Sequence, residues 1–234
     1  VKSVYGISVS ESTISTISDK LLADVEEWSK RILEHQYLVV WMDAVHLKVR
    51  VDGKYINNAM HVVIGLKPDG LKEVLGMWLN KTESASFWMS VLSDLKSRGV
   101  EDIIIACTDN LAGFTKAIKG VFPETITQLC MVHQIRNSVK FVVYKDRKQF
   151  CTDMKQIYSA NNEEQAVEAL KLLKKTWGEK YKYAIKSWEN NWENLMPFLE
   201  YPPELRKIIY TTNTIENLNR GIRKYTKTKV QFPD

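Results

Sequence analysis

Three apolar segments, Tyr37–Val51, Ile56–Leu66 and Leu71–Leu79, follow one another with little more than Asp52-Gly53 and Pro68-Asp69-Gly70 between them. Links that short join antiparallel neighbours, because a parallel connection needs a crossover of about a dozen residues or more. The chain is therefore committed early to a three-stranded antiparallel meander. The pattern then changes. A helix is expected from Thr82 or Ser84 through Arg98, with Phe87, Val91, Leu92 and Leu95 on one face and Gly99 as its stop. Asp102–Thr108 is a short continuous apolar run, the mark of a strand buried on both faces. Asn110–Val121 reads as a helix and Thr125–Val132 as another strand. A meander that feeds strand–helix–strand units predicts an α/β architecture: a mixed sheet, antiparallel meander plus parallel strands, flanked by helices.

Helical patterns lie on both sides of this core. Ile14, Ile17, Leu21, Val25, Trp28 and Ile32 form one apolar stripe, and Ser8 with Glu11 has capping-box spacing before it. This segment reads either as the second half of a helix-turn-helix or as a plain packing helix. From about Gln134 to Tyr201 there is no strand signal, and helical spacing dominates, as in Ala166, Leu170 and Leu173. That block reads as an all-helical insertion. Pro202-Pro203 then opens a last helical region from Glu204 to about Lys224. The expected organisation is an N-terminal helical segment (1–34), the first part of the core (35–133), the helical insertion (134–203) and a C-terminal helix with a basic tail that completes the core (204–234).

Composition narrows the class. Hydrophobic residues make up 44% and charged residues 26%, which excludes disorder as the default. No apolar stretch is long enough to span a bilayer, and no charged-then-apolar leader opens the chain. The opening residue, Val1 rather than Met, suggests a fragment of a longer protein. Three cysteines, Cys107, Cys130 and Cys151, are too few for a disulfide framework and point to a reducing compartment. A net charge of +5 permits a polyanionic partner without establishing one.

Three acids stand out by position. Asp43 sits mid-strand among apolar residues, where Asp is disfavoured. Asp109 ends the buried strand, and ligand sites in open α/β sheets gather at the carboxyl ends of strands. Glu216 lies in Thr211-Thr-Asn-Thr-Ile-Glu-Asn-Leu-Asn-Arg, after the helical block. Taken singly, Asp43 could face water on an edge strand, Asp109 could cap the next helix, and Glu216 could be a solvated helix residue. Taken together on converging elements, three carboxylates repel one another and hold a hard divalent cation such as Mg²⁺.

Arg220 and Arg223 follow Glu216 by four and seven residues, on the same helix face, where guanidinium groups suit DNA phosphates. Lys224, Lys227 and Lys229 extend this basic run, which could also be a solvated tail. Cys130-Met-Val-His133 has the spacing of half a zinc site with no second half, so a packed strand Cys and a hydrogen-bonded His are expected instead. His46 and His61 read as structural. In the helical block, Lys171, Lys174, Lys175, Lys180, Lys182 and Lys186 alternate with Trp177, Trp188 and Trp192. Phosphate binding and base stacking are conceivable there, but tryptophans at helical spacing are expected to pack as core.

With these residues in view, the chain resembles the catalytic part of bacterial insertion-sequence transposases of the Mutator superfamily. The matching stretches are Trp41-Met-Asp-Ala, Cys107-Thr-Asp-Asn-Leu-Ala-Gly-Phe, Gln128-Leu-Cys-Met-Val-His-Gln-Ile-Arg-Asn and Thr211-Thr-Asn-Thr-Ile-Glu-Asn-Leu-Asn-Arg, in the family's order. The resemblance implies an RNase H-like core with a helical domain inserted before the last catalytic helix. It implies a DDE site in which Asp43, Asp109 and Glu216 are the catalytic, metal-binding acids for Mg²⁺ or Mn²⁺. It matches a family signature to Cys130 and His133 and a basic residue to Arg223. It further implies cleavage and strand transfer at transposon ends, with terminal inverted repeats and target DNA as partners, a homodimer, no membrane, and a bacterial cytoplasmic, nucleoid-associated location.

Family members are longer at both ends, so the chain is expected to hold the catalytic core without the full end-recognition apparatus. Two other functions fit the residues. One is a truncated, non-catalytic or regulatory transposase fragment that binds DNA or a full-length partner. The other is an RNase H-like nuclease, since a fold does not fix its substrate.

Overall fold

A computed structural model of the chain describes residues 10–51, 54–210 and 213–227. The first described element is a helix, α1 (Glu11–Lys30). Its N-cap is Ser10, whose hydroxyl accepts from the Thr13 N–H at 3.1 Å. The expected cap, Ser8, lies outside the described residues. Much of the expected apolar stripe faces solvent: Ile17 is 52%, Leu21 58% and Val25 57% exposed.

The meander follows as β1 (Gln36–Val51), β2 (Lys54–Leu66) and β3 (Lys72–Asn80). It pairs antiparallel throughout, with Asp43 opposite Val62. Helix α2 (Ala85–Ser97) is capped by Ser84, whose hydroxyl accepts from the Phe87 N–H. It ends as expected near Gly99, which holds a φ of +104°. Strand β4 (Asp102–Thr108), helix α3 (Phe114–Val121) and strand β5 (Ile126–Leu129) complete a five-stranded mixed sheet. The order is β3-β2-β1-β4-β5, with β4 parallel to β1 and β5 parallel to β4.

Two boundaries depart from the expected ones. Helix α3 starts at Phe114 rather than Asn110, because Gly113 stands at its N-cap in the left-handed region (φ +83°) and leaves residues 109–112 as a loop. Strand β5 stops at Leu129 because Cys130 is already the N-cap of the next helix, α4 (Met131–Lys140). Cys130 and His133 therefore sit at the start of a helix and not on and beyond a strand. The His133 N–H donates to the Cys130 sulfur at 3.4 Å.

From there to Glu200 the chain is helical: α5 (Tyr144–Tyr158), α6 (Glu163–Trp177), α7 (Lys182–Leu195) and a 3₁₀ turn (Pro197–Glu200). The last region forms two helices, α8 (Pro203–Tyr210) and α9 (Asn213–Lys227), where one had been expected.

Alternation along the strands divides the core in two. Val40 and Met42 pack on one face of the sheet with Trp88, Leu92, Leu95, Phe114 and Ile118. His61 is buried on this side, between the rings of Phe87 and Trp88, as a structural residue. Val39, Trp41, Ile105, Cys107 and Leu129 pack on the other face with the helical block, through Phe150, Trp188, Leu195 and Phe198. Trp188 is fully buried, whereas Trp177 and Trp192 pack at the edge of that core. Gln128, also fully buried, ties sheet to block: its Nε2 donates to Leu195 O, and its Oε1 accepts from the Phe198 N–H, both at 2.9 Å.

Candidate active site

The sheet's register builds the site. In the parallel pairing of β1 with β4, Trp41 stands opposite Cys107. Asp43 lies two residues further along β1, which runs on to Val51, and Asp109 two residues further along the chain, just past the end of β4, so the two acids come close together near the carboxyl end of β4. β1 is the central strand of the five, and Asp43, two residues past its last pairing with β4 and opposite Val62 on β2, is half-buried rather than exposed. Both acids are half-buried. Burial holds the carboxyl of Asp43 above the usual carboxylate range; the charge of Asp109 adds to this, and His133 opposes it. Burial likewise raises Asp109, with the charge of Glu83 adding and that of His133 opposing.

Helix α4 brings His133 to the pair. Its imidazole is raised to about 9, first by its hydrogen bond to Cys130 and then by the charges of Asp43 and Asp109, against desolvation. Helix α9 closes the other side. Its buried residues Ile215 and Asn219 turn inward, and the Asn219 Nδ2 donates to Asp43 Oδ2 at 2.7 Å. The second Asp43 oxygen accepts from the Ala44 N–H at 2.9 Å. An open cleft of about 760 Å³ results, lined by Asp43, His133, Arg136, Glu216, Asn219, Arg220, Arg223 and Lys224 among others.

The structure thus gathers Asp43, Asp109 and His133, and it places Glu216, Arg220, Arg223 and Lys224 along the same cleft wall. Glu216 faces Arg136, whose Nη1 lies 2.9 Å from Glu216 Oε1, an ion pair by distance that is not aligned as a hydrogen bond. Among the described residues no group of three or more His, Cys, Asp or Glu side chains is placed to hold a metal ion. The donors nevertheless suit a hard cation. The charge of Asp109 is felt at Asp43, and Asp109 Oδ1 is buried with no hydrogen-bond partner among the described residues. Cys130 caps the helix through the His133 N–H, while the His133 side chain lines the cleft. The side chain of Lys227, and residues 228–234 with Lys229, lie outside what the structure describes. His46 is exposed on β1.

Two partners were not anticipated from sequence. Asn219 carried one available signal, its spacing of three from Glu216 on one helix face. Arg136 carried none, since only the fold brings α4 to α9.

The family model described as "Transposase, Mutator family" matches residues 1–234. The chain is 44% identical, over all its 234 residues, to a probable transposase for an ISRM3-like insertion sequence element from Sinorhizobium fredii. It is also 44% identical over its full length to the transposase for insertion sequence element ISRM3 from Rhizobium meliloti. A probable insertion-sequence transposase from Corynebacterium diphtheriae is 39% identical over 97% of the chain and is covered for 67% of its own length. The chain spans 58% of the length of each of the first two relatives. No described helix is long and apolar enough to cross a membrane.

Proposed function

The chain belongs to the Mutator family of transposases, and we propose that it carries that family's catalytic centre, a DDE site for metal-dependent cleavage and strand transfer at transposon ends. The sheet is read as an RNase H-like core, supported by its antiparallel meander running into two parallel strands, with the helical block as an insertion before the last helix. One observation carries the reading. The Trp41–Cys107 register brings Asp43 near Asp109, and Asp43 lines a cleft whose wall along α9 is basic.

Asp43 and Asp109, with Glu216 once it leaves Arg136, would hold Mg²⁺ or Mn²⁺. Such ions, when bound, polarise the scissile phosphate and activate the attacking water or 3′-hydroxyl. The chain's own contribution is positioning and charge. Arg220, Arg223 and Lys224 bind backbone phosphates along the cleft. Asn219 orients the carboxylate of Asp43, and protonated His133 offsets the repulsion between the two aspartates until a cation does so. Transposon-end and target DNA are the partners, in a homodimer associated with the nucleoid.

Asp43→Asn tests this. Cleavage of DNA carrying the element's end should fall by about 100-fold or more, while the circular dichroism spectrum and melting cooperativity stay unchanged. Cleavage at the wild-type rate by the folded variant would refute the assignment. A second reading, a non-catalytic partner of a longer transposase, is favoured by the engagement of Glu216 with Arg136. Mixing separates the two, because a regulatory fragment lowers the activity of full-length transposase when in excess and a catalytic one does not.

A further inference from the structure

A second cleft, of about 460 Å³, opens on the other flank of α4, between that helix, α7 and the residue following Asp109. The volume lies within the roughly 300–1,000 Å³ of small-ligand sites. Two aromatic rings form its apolar part. Phe141 and Tyr183 stack on each other with centroids 6.1 Å apart, yet they are 53% and 75% exposed. A pair this open adds little to the core, and its outer faces are available to another flat ring. Lys140 and Lys186 flank the rings, and no acidic residue lines the cleft. Asn110 and Asn190 present amide edges there as well.

The walls are held in place from behind. The Trp188 Nε1 donates to the Ser138 hydroxyl at 2.9 Å, and the buried Gln134 is bonded to both Ser187 and Asn191 across the helix pair. The cleft is therefore a fixed feature of the α4–α7 contact and does not depend on a loop conformation. It is also tied to the catalytic cleft. Asn110 directly follows Asp109, and α4 presents His133 and Arg136 to one cleft and Asn137 and Lys140 to the other.

We propose that this second cleft binds an unpaired nucleotide of the DNA strand that passes the carboxylate pair, with its base stacked on Tyr183 and Phe141 and its neighbouring phosphates on Lys140 and Lys186. The proposal rests on the reading that the first cleft takes DNA. A base inside a duplex has both faces covered by its neighbours, so exposed rings select one that is unstacked. Lysines supply the phosphate charge, and side-chain amides can meet a base edge without demanding one base. This site lies outside the carboxylate cleft, and it uses none of the tryptophans of the helical block.

The test is a binding measurement with the full chain in EDTA, where cleavage is not read. The probe is a duplex with a short 3′ overhang carrying 2-aminopurine, compared with its blunt counterpart. Wild type should bind the overhang DNA more tightly than the blunt duplex and quench the 2-aminopurine. Phe141→Ala and Tyr183→Ala should each weaken overhang binding by roughly 5- to 150-fold, remove the quenching and leave blunt-duplex affinity unchanged. Tyr183→Phe keeps the ring and should bind as wild type does. Both residues are exposed, and an unchanged melting temperature confirms that the variants fold. Equal affinity of wild type for the two DNAs, or an alanine pair that still quenches, overturns the proposal. Because no metal or chemistry enters the assay, such a failure leaves the carboxylate assignment standing. A cleavage-competent Asp43→Asn variant would sink that assignment without changing this measurement.

Discussion

Gln128 offers the sharpest test of how the helical block is fixed to the sheet. It is fully buried at the carboxyl end of β5, beside Cys107 on β4. Its amide makes three hydrogen bonds, each 2.9 Å long: Nε2 donates to Leu129 O and Leu195 O, and Oε1 accepts from the Phe198 N–H. Gln128→Leu keeps the side chain's approximate volume, so no large cavity opens. It removes the bonds to two remote backbone groups, Leu195 C=O and Phe198 N–H, inside a dry core. A buried backbone group that loses its partner costs about 1–3 kcal/mol, so the expected loss is about 2–6 kcal/mol. The assay is urea unfolding followed by tryptophan fluorescence. With slopes of about 1–3 kcal/mol per molar urea, the midpoint should drop by about 0.7 M or more. The control is Gln149→Leu, which deletes a single bond to Asp153 on the exposed face of α5 and should change stability by no more than about 0.5 kcal/mol. If Gln128→Leu falls within the control's range, the amide is not what fastens block to sheet.

Two further tests probe the core and the site. Gly65→Ala would place a Cβ 2.5 Å from Tyr37 Cδ1 and 2.7 Å from Cε1. That ring is fully buried and its hydroxyl donates to Glu73 at 2.7 Å, so it cannot swing aside, and thermal melts should show a loss of about 1–3 kcal/mol. The imidazole of His133 titrates at about 9 in the folded chain against an ordinary 6.5. The folded state therefore holds this proton more tightly than the unfolded state, a stabilisation complete below pH 6.5 and lost as the pH climbs through 9. Wild-type stability should fall across that window, the decline should be shallower in His133→Gln, and parallel profiles would refute the raised imidazole that Cys130, ahead of the two aspartates, gives His133.

What could be read from the sequence was what local pattern determines. Tight turns forced the meander, and an unbroken apolar run marked β4 as doubly covered. An Asp at a disfavoured strand position and an Asp at a strand's carboxyl end pointed to neighbouring places because the two strands are parallel. Boundaries set by single residues were less visible. Gly113 in the left-handed region delayed α3, and Cys130 acting as a cap cut β5 short. Sulfur is an uncommon cap, and nothing in the pattern distinguished Cys130 from a strand residue. Contacts made only by the tertiary fold were invisible. The pairing of Arg136 with Glu216 joins α4 to α9, and the amide of Asn219 reaches Asp43 across 176 positions of chain. The apolar stripe of α1 was legible as a helix, but the pattern could not say that most of it would meet solvent in this chain.

The three acids are not mechanically equivalent, and the difference bears on how the site would be assembled. Asp43 is fixed by a strand ladder whose register permits no gradual adjustment, since a shift of one residue reverses every side chain, and Asp109 directly follows the last residue of β4. Glu216 rides on α9, which reaches the sheet side through the buried Ile215, the bond from Asn219 to Asp43 and a 2.9 Å bond from Lys72 to Thr214. Each such bond contributes about 0.5–1.5 kcal/mol net, far less than the cooperative ladder holding Asp43. Two of the helix's three polar ties among the described residues, Asn219 to Asp43 and Glu216 to Arg136, are also open to competition on the proposed reading. A cation taken up by Asp43 competes with Asn219 for the same carboxylate oxygen, and a DNA phosphate drawn to Arg136 competes with Glu216 for the same guanidinium. Substrate arrival and ion uptake would thus both act on α9, the first by releasing Glu216 from Arg136 and the second by loosening the bond from Asn219 to Asp43. A site whose third acid lay on a strand would have no such dependence. On the proposed reading, the helix placement of Glu216 would make completion of the acidic trio depend on DNA that draws Arg136 away.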